Sequence, residues 1–267
     1  MRRNGLPAPV VVAACVAGVV AHALALGTAT RASAGTAAPT YHVAPRSVID
    51  ARLGFDATPR QAAVRPILIK ANRGDVFAYP PGKDAAKDAP LVIYLHGVHG
   101  RAENGCPWMR TGRDDMGWLV CPEAQIRVAP GWSWTGRVER DAPVVHTALT
   151  VTRSDAPRVA VGFSQGAYLT LDLIKKKKES FKAIVLLGAS VNPDASELRA
   201  AGVERVVLGA SEDEPWHATL ERRAESLKKK GVDVRFVSLG HVGHMYVGEG
   251  DEQVSALREA IAWASEN

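Results

Sequence analysis

Cysteine is scarce in this chain, with three residues in 267, and other marks of a specialised architecture are missing too. No internal repeat is visible, which leaves the length to one α/β domain with enough chain for a sizeable core. No insertion is long enough to form a large helical lid. A strong charge of one sign is also absent. The formal net charge is +5, but residues 1 to 34 hold Arg2, Arg3 and Arg31 and no acid; taking those three from +5 leaves +2 for the remainder. The lysine runs 175–178 and 228–230 have no interleaved aromatics and no binding motif beside them. They read as solvated helix ends, where cations complement the helix dipole, and no nucleic-acid partner is expected. Metal-binding patterns are thin. His96-x-x-His99 and His241-x-x-His244 have a chelating spacing, yet both lie in glycine-broken turns and neither has the glutamate of a zinc-peptidase helix. Neither a metal nor another cofactor is expected.

The N-terminus does carry a leader pattern. Met1-Arg2-Arg3-Asn4 is positive, and no charged residue occurs from Val10 to Leu26. With Ala32-Ser33-Ala34 before Gly35, this predicts a signal peptide over 1–34, Ala23-Leu24-Ala25 being the alternative cleavage site. The expected location is secreted or periplasmic, with no stable membrane insertion after leader removal. Val12-Ala13-Ala14-Cys15 offers a lipid anchor at Cys15 as the alternative, against which the apolar run continues well past Cys15. Loss of the leader leaves Cys106 and Cys121, an even pair in an exported protein that reads as a disulfide. Residues 35–64, rich in Ala, Thr, Pro and Arg, predict an irregular arm, and 65–267 the folded domain.

Within that domain, 67–70 and 75–79 flank Asn72-Arg73-Gly74 and predict an antiparallel pair. Further strands are expected near 91–95, 126–128, 158–163, 183–188, 205–209 and 232–238. Helices are expected near 138–149, 167–179, 216–230 and 252–265. Alternation of this kind implies a doubly wound, mostly parallel sheet, which binds ligands at the carboxyl ends of its strands.

Gly162-Phe163-Ser164-Gln165-Gly166 falls between the apolar run Val159-Ala160-Val161 and the helix-like Ala167-Tyr168-Leu169-Thr170-Leu171. A serine at the apex of a strand, sharp turn and helix is the pattern of a nucleophile elbow. A serine hydroxyl needs a base, an orienting acid and donors for an oxyanion. The buried run Leu91-Val92-Ile93-Tyr94-Leu95 ends in His96-Gly97-Val98-His99-Gly100, whose Val98 N–H could join the Gln165 N–H as an oxyanion hole. After the strand Arg205 to Gly209 comes the acidic turn Ser211-Glu212-Asp213-Glu214-Pro215. Asp213 is preferred there as the acid, since a short carboxylate holds an imidazole rigidly, with Glu212 as the alternative. Past the last strand, Gly243-His244-Met245 favours His244 as the base, with His241 as the alternative. Trp132 and Trp134 either line a subsite or serve packing, beside a pocket walled by the loop 98–120.

The order Ser164, Asp213, His244, together with the His96-Gly97 turn, makes the chain resemble the α/β-hydrolase superfamily over about residues 65 to 267. Within it the chain looks most like small secreted esterases of the dienelactone hydrolase, carboxylesterase and polyhydroxybutyrate-depolymerase-like groups. The resemblance implies a mostly parallel eight-stranded sheet with helices on both faces. It also implies Ser164 attacking a carbonyl, His244 shuttling its proton and the acid fixing the imidazole. The expected partner is a small-molecule ester. Two alternatives stand beside it: a serine peptidase of the same fold, whose small members usually carry a propeller or cap domain that nothing here encodes, and a non-catalytic binding protein.

Overall fold

The computed structural model describes residues 65–71, 74–110, 115–247 and 251–266. The leader expected over 1–34 with its two candidate cleavage sites, Cys15 and the arm expected over 35–64 lie outside them. An eight-stranded sheet carries the fold. It contains β1 (Ile67–Ala71), β2 (Gly74–Tyr79), β3 (Leu91–Leu95), β4 (Leu119–Pro122), β7 (Arg158–Phe163), β8 (Ala183–Leu187), β9 (Arg205–Ala210) and β10 (Asp233–Ser238). Their spatial order is β1-β2-β4-β3-β7-β8-β9-β10. Only β2 runs against the rest of this sheet, pairing antiparallel with both β1 and β4.

The central strands are continuous apolar runs because both faces are covered, as parallel sheets require. All five residues of β3 are buried, and alternate side chains serve opposite cores. Leu91, Ile93 and Leu95 join the core formed with the helices α2 (Val138–Thr150), α3 (Gln165–Lys175), α4 (Ala195–Ala200) and α5 (His217–Lys229). Val92 and Tyr94 join the other, with α1 (Ala102–Arg110) and α6 (Asp251–Ala264).

The expected count of eight strands holds, but one member differs. Residues 126–128 form β5, which pairs only with β6 (Gly131–Ser133) in a separate hairpin. Ile126 and Arg127 are exposed, so this short segment has no buried face to offer the sheet. Its place is taken by β4, four residues that are all buried. That run is short and contains Cys121, which disguises it as loop.

Two helices also come without a strong signal. Helix α1 contains Asn104, Gly105 and Pro107, all poor helix formers. Helix α4 is only six residues long, capped by the Asp194 side chain, which accepts from the N–H groups of Ser196 and Glu197. Conversely α3 stops at Lys175 and not at 179, and Lys177 adopts φ +51° just beyond it.

Cys106 on α1 and Cys121 on β4 form a disulfide, both residues fully buried. Closing a loop of separation 15 contributes about 3 kcal/mol in the chain-entropy picture. It also fastens α1, which follows the 96–100 turn, to the sheet.

Candidate active site

Strand β7 delivers the chain to Ser164, and α3 carries it away. Ser164 has φ +51° and ψ −114°, a conformation that L-residues rarely adopt and that costs on the order of 1–3 kcal/mol. Its neighbours explain why the strain persists. A Cβ on Gly162 would lie 2.6 Å from the Gly166 carbonyl oxygen, and one on Gly166 would lie 2.0 Å from that of Leu95. Only glycine lets strand and helix close this tightly. The Ser164 N–H donates to Leu187 O at 2.8 Å, anchoring the elbow to β8.

Ser164 Oγ lies 2.9 Å from His244 Nε2, and His244 Nδ1 lies 2.6 Å from Glu214 Oε1. A carboxylate can only accept, so Nδ1 carries the proton and Nε2 is left to accept the serine hydroxyl. The structure thus brings Ser164 and His244 together. It corrects the acid: the carboxylate on His244 belongs to Glu214, not to Asp213 or Glu212. The reason is the turn. Glu214 N–H closes onto Ser211 O at 3.1 Å, which folds the Glu214 side chain inward to 3 % exposure while the two preceding acids stay exposed. The second Glu214 oxygen, Oε2, accepts the Ser211 N–H at 3.1 Å, so both oxygens are fixed.

Ser211 is a further residue that the sequence reading passed over. Fully buried, its Oγ donates to Gly240 O at 2.9 Å and accepts the N–H groups of Val242 and Asp213. It stitches the acid turn to the loop that carries His244. On the imidazole's flanks are Phe163, ring centroids 5.1 Å apart, and Trp216, edge-on at 5.9 Å. Tyr246 packs behind Phe163, its hydroxyl pushed up to about 12 by burial.

His241 stands apart from the serine and ties the same two loops together from outside. Its Nδ1 meets Asp213 Oδ1 at 2.8 Å and its Nε2 meets Glu212 Oε2 at 3.2 Å. The hydrogen bond that His241 donates to Asp213, and then the charges of Asp213 and Glu212, raise the His241 pKa above 6.5, and the same bond foremost lowers that of Asp213 below 3.8. A raised histidine pKa stabilises the fold fully below the unfolded value, and the gain is lost as pH rises through the folded one. A lowered aspartate pKa stabilises above the unfolded value, and the gain is lost on acidification. The tie is therefore complete between the two ordinary values. The melting temperature lost in His241→Ala should be largest there and shrink toward pH 9 and in high salt, since the group is exposed. A loss that is the same at every pH would mean that the charges do not matter.

The 96–100 turn lies against Ser164: a Cβ on Gly97 would sit 3.0 Å from Ser164 Cβ. Val98 is 48 % exposed in this turn. Gln165 starts α3, and three hydrogen bonds hold its side chain. Its Oε1 accepts from Ser133 Oγ and from Trp134 N–H, both at 3.0 Å, and its Nε2 donates to Trp134 O at 3.0 Å. Trp134 is buried, its indole N–H donating to His96 O at 2.9 Å, so it serves packing and positioning. Trp132 is half-buried with the Arg127 guanidinium 5.6 Å above its ring. Among the described residues no group of three His, Cys, Asp or Glu side chains is arranged to hold a metal, and no helix is long and apolar enough to cross a membrane.

No protein-family model and no curated protein matches the sequence. Solved structures do. The chain is similar to a Pyrobaculum calidifontis esterase, with a TM-score of 0.55 at 21 % identity over 82 % of this chain and 90 % of that one. TT1662 from Thermus thermophilus matches with a TM-score of 0.54 at 18 % identity, over 76 % of this chain and 99 % of the other. Esterase PE8 gives 0.52 at 20 % identity, over 75 % and 99 %. Likeness at this level of identity speaks for architecture. With its strand order and its strained elbow after β7, the chain has the α/β-hydrolase fold.

Proposed function

We propose that the protein is a serine hydrolase that cleaves carboxylic esters of modest size through an acyl-enzyme on Ser164. The observation that carries this reading is the continuous chain from Ser164 Oγ to His244 Nε2 at 2.9 Å and from His244 Nδ1 to Glu214 Oε1 at 2.6 Å. The hydroxyl attacks the carbonyl carbon while Nε2 takes its proton, and the imidazolium that forms is stabilised by the Glu214 carboxylate. Negative charge builds on the carbonyl oxygen, opposite the backbone N–H groups of Val98 and Gln165. The alcohol leaves with the proton held on Nε2, and water releases the acid by the same steps in reverse order.

The surroundings favour an apolar ester. Val98 follows Gly97 in the turn against Ser164, Tyr168 is one helical turn into α3 and Met245 follows His244, and all three are between 45 % and 48 % exposed. Two of the three similar structures are esterases by name, which supports the same reading. The test is a panel of p-nitrophenyl esters of graded acyl length run beside peptide anilides. Hydrolysis of the esters with the anilides untouched is expected. Anilide cleavage at comparable rates would point to a peptidase, and silence on both to a protein that only binds.

A further inference from the structure

A further histidine–carboxylate pair, buried on both sides, lies beneath the 96–100 turn, in a place no reaction step uses. His96 is 1 % exposed, with Nδ1 2.7 Å from Gly97 O and Nε2 2.9 Å from Glu123 Oε1. Glu123, also buried, follows β4; its Oε1 accepts the Ala102 N–H at 3.1 Å, and the Ala124 N–H lies 3.2 Å from His96 Nε2. A carbonyl oxygen carries no proton, so Nδ1 must donate to Gly97 O. One proton must also lie between Nε2 and Oε1, since two lone pairs at 2.9 Å repel. Whichever of the two atoms holds that proton, Nδ1 stays the donor.

The consequence follows from peptide geometry. In a trans peptide the C=O and the next N–H point in opposite directions. Gly97 O is held by His96 Nδ1 and also by the Gly100 N–H at 3.0 Å, so the Val98 N–H is turned the other way. The Gly97 backbone itself lies against Ser164. Trp134 joins this arrangement to the other oxyanion donor, since its indole holds His96 O while its backbone is held by the Gln165 side chain.

We propose that His96, backed by Glu123, is a positioning residue for the oxyanion hole: it fixes the Gly97–Val98 peptide so that the Val98 N–H faces the developing oxyanion. The inference rests on the ester-hydrolase reading of Ser164. His96 does not touch the substrate, so its loss acts on the transition state and little on ground-state binding.

The experiment compares His96→Phe, His96→Asn and Glu123→Gln with wild type, reading kcat, KM and the Ki of an alkyl boronic acid, whose tetrahedral adduct places an oxygen in the hole. His96→Phe should lower kcat about 10- to 100-fold, with KM changed by less than about threefold and the boronate Ki raised by the same factor as kcat falls. His96→Asn keeps an amide donor near the Nδ1 position and should recover most of the loss. Glu123→Gln can still donate to Nε2, holding the proton on Nδ1, and should stay within a few-fold of wild type. If circular dichroism shows that His96→Phe does not fold, Glu123→Leu against Glu123→Gln decides, the leucine variant alone losing about 10-fold in kcat and in boronate affinity. An active wild type with kcat and boronate affinity unchanged in His96→Phe, or with His96→Asn as impaired as His96→Phe, overturns the inference alone. A wild type without Ser164-dependent hydrolysis overturns the ester-hydrolase reading and this inference with it.

Discussion

Ser164→Ala is expected to lower kcat for ester hydrolysis about 10³-fold or more and to abolish labelling by a fluorophosphonate, because only the attacking oxygen is removed. The fold should be intact, since the Ser164 N–H still donates to Leu187 O and alanine adopts the same backbone. A companion variant separates catalysis from strain. Ser164 is held at φ +51° and ψ −114°, which glycine occupies without a Cβ penalty. Ser164→Gly should be equally inactive yet melt above Ser164→Ala, the relief of roughly 1–3 kcal/mol of strain exceeding the extra entropy of an unfolded glycine at about 0.5–1 kcal/mol. Labelling retained in Ser164→Ala would place the reactive serine elsewhere. A glycine variant that melts lower than the alanine variant would mean that the elbow is not strained.

The features legible in the sequence are those that local chemistry decides. The elbow shows because a Cβ on either of its two glycines would come within 2.6 Å or 2.0 Å of a backbone oxygen, and because an apolar run meets a helical pattern there. Buried strands such as β3 show because both faces are covered. What the sequence hides depends on partners distant along the chain. Whether Leu119–Pro122 or Ile126–Val128 enters the sheet is decided by the pairing of β4 with β2 and β3. The pairing of His96 with Glu123 joins residues 27 apart in sequence, and neither alone hints at it. Choosing among three successive acids is harder still, because composition and exposure rules treat them alike. The Ser211–Glu214 turn separates them, and its serine hydroxyl ties that turn to the distant loop near Gly240.

That separation has the sharpest kinetic consequence. Glu214→Gln keeps the size of the side chain but removes the charge that stabilises the imidazolium, and the amide can present a donor where His244 Nδ1–H needs an acceptor. A loss of about 10³- to 10⁴-fold in kcat is expected, in line with the loss of a triad acid. Asp213→Asn and Glu212→Gln, whose carboxylates face His241, should each cost about 10-fold or less. Glu214→Asp is informative as well. Shortened by one methylene, it cannot reach both Ser211 N–H and His244 Nδ1, which Glu214 holds at 3.1 Å and 2.6 Å. It keeps the charge and should fall between wild type and Glu214→Gln. His244→Ala should be nearly as damaging as loss of the serine, because serine and base act as a unit. Steady-state kinetics on the best ester, with circular dichroism to confirm folding, decides the ranking. A larger loss in Asp213→Asn than in Glu214→Gln would return the orienting role to Asp213, and equal mild losses would leave His244 without a working acid.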